Sequence, residues 1–339
     1  MRHVAAIGLL LAAACTEPAT EPTPPAGPTD VVSTSDSWRA GADFPTGIFY
    51  AASASITNAS TLRTSVYVIG GQHSITTGPG SITDAVKAYD LSANRWRTKS
   101  RYPVPVRSPD GAAEIDGKIY VSGGFTRVWD AQRGSWRMTV LSSLYVYNPA
   151  TDQWTRKRDM PITTAVGVSA AYKGRLYVAT GCYDRNVCGD ASEGAVGALW
   201  RYAPETDRWV LLSRTPHDPS YGGGGFIGGR LYLVDDLGST DVYDVATNAW
   251  STGPQRPIRY CTPASTTLQA KLYLVGCRED FDGTGVYPML VLDPKAGMWS
   301  QAAAPPVAAT GHLWALSRVV GGLELVGGTT PGNNWQYVP

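Results

Sequence analysis

The sequence predicts an all-β fold, a six-bladed β-propeller whose N-terminal strand closes the last blade. Two observations predict this fold: a short apolar strand motif recurs six times along the 339 residues, and the two ends of the chain carry complementary parts of one further sheet. Four short antiparallel strands cannot bury their own faces, so such units stack side by side. A closed ring of them leaves no exposed sheet edge.

Each repeat has an apolar strand, often preceded by a Gly-Lys or Gly-Arg turn and followed by a small pair. The clear copies run at 65–71, 118–124 and 175–181, and the fainter copies run at 230–236, 271–277 and 322–328. After each of the first five copies come a strand with an aromatic or apolar residue, a turn, and a tryptophan: Trp96, Trp154, Trp209, Trp250 and Trp299. This spacing predicts the second, third and fourth strands of successive blades.

The two ends of the chain complete each other. The C-terminal segment 334–339 aligns with the third-strand segment 199–204 and stops before a fourth strand would begin. The missing tryptophan strand is found at the other end of the chain, around Trp38. We therefore expect Trp38 to lie in the outermost strand of a sixth blade whose inner three strands come from the C-terminus.

The diglycine, the spaced tyrosine and the spaced tryptophan resemble the signature of the kelch family over nearly all of residues 38–339. The resemblance implies a kelch-type propeller. In that arrangement the loops joining second to third strands, and the links between blades, gather on one face around a central channel. We call this face the loop face, and we expect function there because its loops vary most in length.

The first residues predict export. Residues 1–14 read as a signal peptide, since a short basic start is followed by an apolar run too short to span a membrane. The segment Leu11 to Cys15 resembles the lipobox of bacterial lipoproteins, in which the cysteine becomes the lipidated first residue. The alternative is an ordinary cleaved signal with an unrelated cysteine.

The domain organisation follows from the same pattern. Residues 15–36 are rich in Pro and Thr and predict an extended tether, and residues 37–339 form the propeller. We expect a bacterial kelch-repeat lipoprotein, anchored to a membrane on its periplasmic or surface side. Thr16 carries no aspartate retention signal, so the outer membrane is the default location.

Charge and cysteine usage narrow the partners. The net charge is +1 with both signs scattered along the chain, so we expect no nucleic-acid partner.

Besides Cys15 there are four cysteines in a chain that reads as exported, and these predict the disulfides Cys182–Cys188 and Cys261–Cys277. If Leu268 pairs with Lys271 in a hairpin, Thr262 rather than Cys261 falls opposite Cys277, so the two cysteines are one residue out of register. Reactive thiols are the alternative.

Blade 2 carries the longest loop, Phe125 to Ser142, and its tryptophans and arginines suit a carbohydrate or protein ligand. The candidate ligand-binding residues of the loop face are Trp129, Trp136, Arg127, Arg133, Tyr183, Asp235, Arg278, His73, His217 and His312. The alternative for Trp129 and Trp136 is that they pack the long loop against neighbouring blades.

Asp235 and Asp236 replace the diglycine in blade 4, and like-charge proximity there would raise one pKa. The alternative is loss of the repeat pattern beside a short loop.

The chain also resembles the sialic-acid mutarotases, which are exported six-bladed kelch proteins. This resemblance implies a carboxylate base and an arginine in the channel face. The catalytic candidates are Glu193, Asp236, Arg107, Arg185 and Arg259.

No cofactor or metal is expected. Only three histidines follow the signal, and none lie close in sequence as in zinc motifs. Residues 280–285 resemble a calcium loop faintly but lack its closing glutamate, so they read as an acidic turn. The sequence favours a monomeric, membrane-anchored binding module over an enzyme, with a sugar mutarotase or epimerase as the alternative.

Overall fold

The computed structural model describes residues 36–73, 81–182, 197–258, 260–278, 289–306, 315–327 and 333–339. Of residues 260–263 and 277–278 only the backbone is described. Within these ranges every regular element is a β-strand. The strands form six four-stranded antiparallel sheets and one two-stranded hairpin, so the predicted six-bladed propeller is confirmed.

The strands follow the chain from blade to blade. The first strand is β1 (Ser37–Ala40), and blade 1 consists of β2 (Ala52–Thr57), β3 (Thr64–Ile69), β4 (Val86–Asp90) and β5 (Arg95–Lys99). Blade 2 begins with β6 (Ala112–Ile115) and β7 (Lys118–Ser122). A hairpin of β8 (Phe125–Asp130) and β9 (Ser135–Val140) is inserted next, and β10 (Leu144–Asn148) and β11 (Gln153–Arg156) complete the blade. Blade 3 consists of β12 (Val168–Tyr172), β13 (Arg175–Ala179), β14 (Ala198–Ala203) and β15 (Arg208–Arg214).

The remaining blades have the same plan. Blade 4 consists of β16 (Gly223–Ile227), β17 (Arg230–Val234), β18 (Thr240–Asp244) and β19 (Ala249–Thr252). Blade 5 consists of β20 (Tyr260–Leu268), β21 (Lys271–Arg278), β22 (Met289–Asp293) and β23 (Met298–Ala302). Blade 6 consists of β24 (Ala315–Val319), β25 (Gly322–Val326), β26 (Asn334–Val338) and β1.

The ring closes through the composite sixth blade. Strand β1 pairs antiparallel with β26, and Trp38 lies opposite Tyr337. Their rings are 5.2 Å apart, and the Trp38 indole N–H donates to the carbonyl of Ala303 in blade 5 at 2.8 Å. The inner strands β2, β6, β12, β16, β20 and β24 each pack on the next around the ring. The predicted closure by the N-terminal strand is therefore confirmed.

The outer tryptophans connect each blade to the one before it. In five blades the indole N–H donates to a backbone carbonyl just beyond the fourth strand of the preceding blade, at 2.8 to 3.0 Å. These five bonds join Trp38 to Ala303, Trp96 to Ala42, Trp154 to Ser100, Trp209 to Arg158 and Trp299 to Pro254. In blade 4 Trp250 donates to the Ser213 hydroxyl instead. The spaced tryptophan of the repeat is thus an inter-blade contact.

The turn before each tryptophan strand supports the same contact. In blade 3 the Tyr202 hydroxyl donates to Asp207 at 2.7 Å, and the same carboxylate accepts the backbone N–H of Arg158 in blade 2 at 2.9 Å. Asp207 has a φ of 51°, a left-handed conformation that Asp and Asn tolerate better than other side chains. Blade 2 repeats the arrangement with Tyr147 and Asp152. This explains the Asp or Asn two residues before the tryptophan.

Glycines permit close packing near the axis. Gly70 directly follows β3 with a φ of 65°, and a Cβ there would lie 2.5 Å from the Val106 carbonyl oxygen. A Cβ on Gly223 in β16 would lie 2.8 Å from the Cβ of Ser265 in β20. Residues 223–225 of the glycine run therefore lie in a first strand and make room for the neighbouring blade, as their position in the sequence predicts.

The register of blade 5 differs from the simple hairpin expectation. Leu268 pairs with Lys271 as predicted, but the register shifts by one residue between Cys261 and Ala264. Cys261 consequently lies directly opposite Cys277, and the expectation that Thr262 occupies this position is wrong. A β-bulge is the physical reason, because it places one extra residue on one strand of the pair.

One buried carboxyl lies at the seam between blades 6 and 1. Glu324 in β25 occupies the position held by tyrosine in the second strands of the other five blades. It is 1% exposed, and neither carboxyl oxygen has a hydrogen-bond partner among the described residues. Burial raises the pKa of Glu324 from 4.5 to about 8, and its charge also raises the pKa of Tyr89 in blade 1.

We expect stability to fall as the pH rises from about 5 to 8. The folded chain keeps the Glu324 proton in this interval while the unfolded chain releases it, so deprotonation favours unfolding by an amount on the order of 3 kcal/mol. The Glu324→Gln variant should lack this component of the slope. Urea unfolding at a series of pH values measures it. An equal slope in both proteins would show that another group titrates.

Candidate functional site

The first strands of all six blades surround a small central cavity at the loop face. Its volume is about 160 Å³, and its lining includes the first residues of five of these strands, Ala52, Ala112, Val168, Gly223 and Ala315, together with Ser265 within β20. The residues just before four of these strands also line it: Tyr50, Ser108, Val166 and Tyr221. The loops around its mouth are therefore held by every blade of the ring.

These four residues form a hydrogen-bonded collar around the mouth. The backbone N–H of Ser108 donates to the carbonyl of Tyr50, that of Val166 to Ser108, and that of Tyr221 to Val166. All four have φ values between 46° and 58°, which are uncommon for non-glycine residues. Sequence reasoning missed the collar because its side chains share no chemical type.

A buried carboxyl lies beside the collar. Asp110 is 2% exposed, and its Oδ1 accepts the Thr164 hydroxyl at 2.8 Å and the Gly167 N–H at 3.0 Å. Burial raises the pKa of Asp110 to about 7. Its other oxygen faces Gly123, where a Cβ would lie 2.4 Å away. Asp110 precedes a glycine, and such a pair reads as an ordinary turn in the sequence.

The long segment of blade 2 is a β-hairpin rather than a loop. Strand β8 pairs with β9, and Trp129 lies directly opposite Trp136. The two indoles meet edge to face with centroids 5.7 Å apart, and they are 54% and 47% exposed. About half of each side chain faces solvent, so packing of the loop against neighbouring blades accounts for only part of their surface.

The tryptophans stand on the side of the hairpin that faces the cavity mouth. Alternation along β8 puts Phe125 and Trp129 on one side of the sheet. Phe125 is buried in a cluster that includes Val166 of the collar, and Tyr221 packs on the same cluster. The base of the hairpin therefore packs against two residues of the mouth, and the tryptophan pair lies on the same side near its tip.

The hairpin is also basic. It carries Arg127, Arg133 and Arg137 against one carboxylate, Asp130. Asp130 pairs with Arg133 at 3.0 Å and with Arg137 at 3.4 Å, and hydrogen bonding from Arg133 lowers the pKa of Asp130. Both paired arginines remain largely exposed.

The predicted carboxylate pair lies in the short turn between β17 and β18. Asp235 is buried, and its carboxylate accepts the Ser239 N–H at 2.6 Å, so it stabilises the turn. The pKa of Asp236 is raised by burial and then by the charges of Asp235 and Asp218. The role of Asp235 in the turn favours the account in which the repeat pattern is lost beside a short loop.

His217 lies in the link between blades 3 and 4. Its Nδ1 is 2.9 Å from Oδ1 of the buried Asp241, and its backbone N–H donates to Oδ2 of the same carboxylate at 3.0 Å. The hydrogen bond to Asp241 raises the pKa of His217. Nothing in the sequence pairs these residues, since Asp241 belongs to a strand of the next blade.

The remaining candidates are spread around the ring. His73 Nδ1 lies 3.2 Å from the Gly47 carbonyl oxygen. Arg107 bonds Gln72 at 2.7 Å and lies over the Tyr50 ring between blades 1 and 2. Asp236 belongs to blade 4, on the far side of the channel, so the structure does not bring Arg107 and Asp236 together.

Of the remaining predicted residues the structure describes only part. Cys182 is described, and it is buried beside the base of the hairpin. The residues outside the described ranges are Cys15, Tyr183, Arg185, Cys188, Glu193, Arg259, His312 and the acidic turn 280–285. The side chains of Cys261, Cys277 and Arg278 are likewise not described. The roles given to all of these residues stay predictions, including both disulfides.

The described ranges contain no group of three or more His, Cys, Asp or Glu arranged to hold a metal ion. They also contain no helix of the length and hydropathy needed to cross a membrane.

We expect the Asp241→Asn variant to lower the pKa of His217, because the amide cannot stabilise the imidazolium as a carboxylate does. NMR titration of the imidazole protons measures the change. Asp235→Asn is the matched control, and it should cause a smaller fall because Asp235 acts on His217 only through its charge. Equal effects of the two variants would contradict the hydrogen-bond explanation.

Comparison with known proteins supports the repeat assignment. Residues 107–161 match the model of the Kelch motif. The chain is 26% identical over 71% of its length to Kelch-like protein terF of Aspergillus terreus, covering 54% of that protein. It is 28% identical over 65% of its length to a putative F-box/kelch-repeat protein of Arabidopsis thaliana, covering 60% of it. The chain thus spans little more than half the length of these relatives.

A solved structure shares the fold. The protein titled "Structure of YjhT" superposes with a TM-score of 0.65 at 18% identity, covering 87% of this chain and 94% of that one. At this identity the likeness concerns the fold alone. The motif, the relatives and the six sheets agree on the fold: the chain is a six-bladed β-propeller that carries a Kelch motif at residues 107–161.

Proposed function

We propose that this protein is a protein-interaction module that binds its partner on the loop face. The observation that carries the proposal is the exposed Trp129–Trp136 pair on a hairpin fixed to the rim of the cavity. Soluble proteins seldom leave two adjacent indoles in water without a use for them. Tryptophan and arginine are the residues most enriched at the energetic centres of protein interfaces.

The hairpin is suited to this role because it is held firmly at its base. Arg107 and Phe125 exchange backbone hydrogen bonds at 2.9 and 2.8 Å, and Phe125 is 2% exposed. A pre-ordered binding element loses little conformational entropy when a partner binds. The relatives found by comparison carry the kelch repeat in their names, which agrees with an interaction role without naming a partner.

The mutarotase alternative has less support. It needs a carboxylate base and an arginine within one pocket, and the two described candidates, Arg107 and Asp236, lie in different sectors of the ring. A carbohydrate ligand stacked on the indoles is a possible result of the experiment below rather than a second proposal.

We further propose that the protein is exported and anchored through a lipidated Cys15. The strand direction makes this arrangement suitable for binding. The end of β1 leads into the link to β2, which belongs to the loop face, so the start of β1 at Ser37 lies on the opposite face. The chain that precedes Ser37 would then join the propeller on the face opposite to the loop face.

The tryptophan pair can be tested with peptides selected from a displayed random library against the full chain. We expect Trp129→Ala/Trp136→Ala to weaken binding of the selected peptides by about tenfold or more, as for interface anchors. Isothermal titration measures the affinities. Because about half of each indole is exposed to solvent and neither belongs to a core cluster of the described residues, the thermal midpoint should change little.

Leu211→Ala is the matched control, since Leu211 is 49% exposed on the outer strand of blade 3. It should leave peptide binding unchanged. Peptides that bind the double variant as tightly as the wild type would overturn the proposed site. Binding on a glycan array with no selected peptide would replace the protein partner by a carbohydrate.

The anchor can be tested in a bacterial host. We expect the wild-type chain in the membrane fraction with a mass increased by acyl chains, and Cys15→Ser in the soluble fraction, because several acyl chains are needed for stable anchoring. Thr16→Ala is the control and should stay in the membrane. A wild-type chain of unmodified mass in the soluble fraction would contradict the anchor.

A further inference from the structure

One arc of the outer rim of the propeller is basic. We define the outer rim as the seven residues that begin at the start of each outer strand, which in blades 1 to 6 are 95–101, 153–159, 208–214, 249–255, 298–304 and 37–43. The segments of blades 1 to 3 contain nine lysines and arginines and one acid, whereas those of blades 4 and 5 contain no charged residue. The chain as a whole has a net charge of only +1, so cations are concentrated on blades 1 to 3, which we call the basic arc.

The cations of the basic arc are available to a partner. Arg95, Arg97 and Arg208 are exposed, and their side chains form no ion pair or hydrogen bond with the residues that the structure describes. Arg101 and Arg156 each pair with one acid, but they remain 72% and 60% exposed. Exposed ion pairs are weak, so a bound anion competes with them readily.

The acids at the turns before these outer strands are engaged in contacts within the protein. Asp152 and Asp207 are half-buried, and each accepts one tyrosine hydroxyl and one backbone N–H. Asp90 accepts a hydroxyl and a backbone N–H of its own turn, and Glu205 pairs with Arg175 of β13. The basic arc therefore keeps an excess of positive charge at its surface.

Strand pairing puts cations on both walls of the crevice between blades 1 and 2. Arg97 lies directly opposite Ala88, which belongs to the cluster shared by these two blades. Alternation along β5 puts Lys99 on the same face. On the other wall Arg156 lies directly opposite Tyr145, a blade 2 member of the same cluster. Residues directly opposite each other share a face of the sheet, so all three cations project toward this crevice.

Protection of the sheet edges accounts for only part of this charge. Charged side chains on an outer strand hinder the pairing of that strand with another chain. The outer strands of blades 4 and 5 are also the last strands of their sheets, yet they carry no charge. The fold therefore does not require the cations of blades 1 to 3.

The shape of the basic arc favours a flexible partner. Blades 1 to 3 are successive sectors of a ring, so their outer strands face outward in three different directions. A flat bilayer would contact one of these strands at a time. Duplex DNA has a persistence length of roughly 50 nm and is too stiff to follow the arc.

The side chains between the cations favour a sugar polymer over a single-stranded nucleic acid. Nucleic acids of this kind stack their bases on exposed aromatic rings. The tryptophans of the basic arc are half-buried and use their N–H groups in contacts between blades. Thr98 and Thr155 are exposed between the cations, and their hydroxyls suit hydrogen bonds with sugar hydroxyls.

We propose that the basic arc binds a flexible carboxylated polysaccharide whose successive carboxylates pair with the arginines and lysines of blades 1 to 3. Arginine suits this ligand because its guanidinium binds a carboxylate through two parallel hydrogen bonds. The outer strands lie at the opposite end of each sheet from the first strands around the cavity, so this site is separate from the loop face. The inference therefore does not rest on the proposed function.

The probe is fluorescently labelled polygalacturonate, a linear polymer with one carboxylate on each sugar. Its matched control is the same polymer with methyl-esterified carboxyls. We expect the full chain to bind the acidic polymer about tenfold or more tightly than the ester at low salt, and the difference to decline as salt screens the charges. Fluorescence anisotropy measures both affinities.

Removing three cations of the arc tests the site. Arg95→Ser/Arg97→Ser/Arg208→Ser should weaken binding of polygalacturonate by about tenfold, because each exposed charge pair adds a small part of the affinity. The thermal midpoint should change little, since these side chains make no ion pair or hydrogen bond with the described residues.

Two control variants address specificity. Arg39→Ser/Lys295→Ser/Arg318→Ser removes the same charge from exposed positions outside the arc, and it should leave the affinity nearly unchanged. Trp129→Ala/Trp136→Ala should also bind the polymer normally, because the hairpin belongs to the loop face.

Equal affinities for the acidic polymer and its ester would overturn the inference, and so would equal losses in the arc variant and the charge-matched control. Arc-dependent binding of polyphosphate or of vesicles with anionic lipid, without binding of polygalacturonate, would overturn the choice of a polysaccharide. None of these results affects the proposed function, which depends on the library peptides and the tryptophan pair.

Discussion

Each blade of this propeller is held by its neighbour at two distances from the axis, and every other feature of the molecule depends on these contacts. Near the axis, glycines and small side chains allow the first strands to pack closely, as between Gly223 and Ser265. At the rim, the indole N–H of a fourth strand reaches the preceding blade, as from Trp209 to Arg158. The last blade makes this contact through Trp38, which the N-terminal strand supplies.

A closed ring fixes the positions of its loops, and this is what makes a projecting hairpin useful. The collar residues Ser108 and Val166 adopt unfavourable backbone conformations that the surrounding blades hold in place. The base of the β8–β9 hairpin packs on this collar, so Trp129 and Trp136 are displayed on a rigid support. The exposed surface costs little here because the hydrophobic core is complete without it.

The departures from the repeat are the informative positions. Glu324 replaces a tyrosine at the seam between blades 6 and 1, and Asp235 and Asp236 replace the diglycine of blade 4. The first is a buried group without a partner, and the others concentrate charge at the loop face. Glu324 is thus a departure that burial makes unfavourable, whereas Asp235 is a departure that its own turn stabilises.

The sequence by itself determined the number of blades, the strand that closes the ring and the faces of the strands, because these depend on local periodicity and on complementary chain ends. It also indicated Trp129, Trp136 and Asp236 as unusual. Only the tertiary structure decided that residues 125–140 form a hairpin, that a bulge sets Cys261 opposite Cys277, and that His217 pairs with Asp241. These features depend on contacts between segments distant in sequence or on a one-residue shift in register, and neither leaves a periodic signal in the chain.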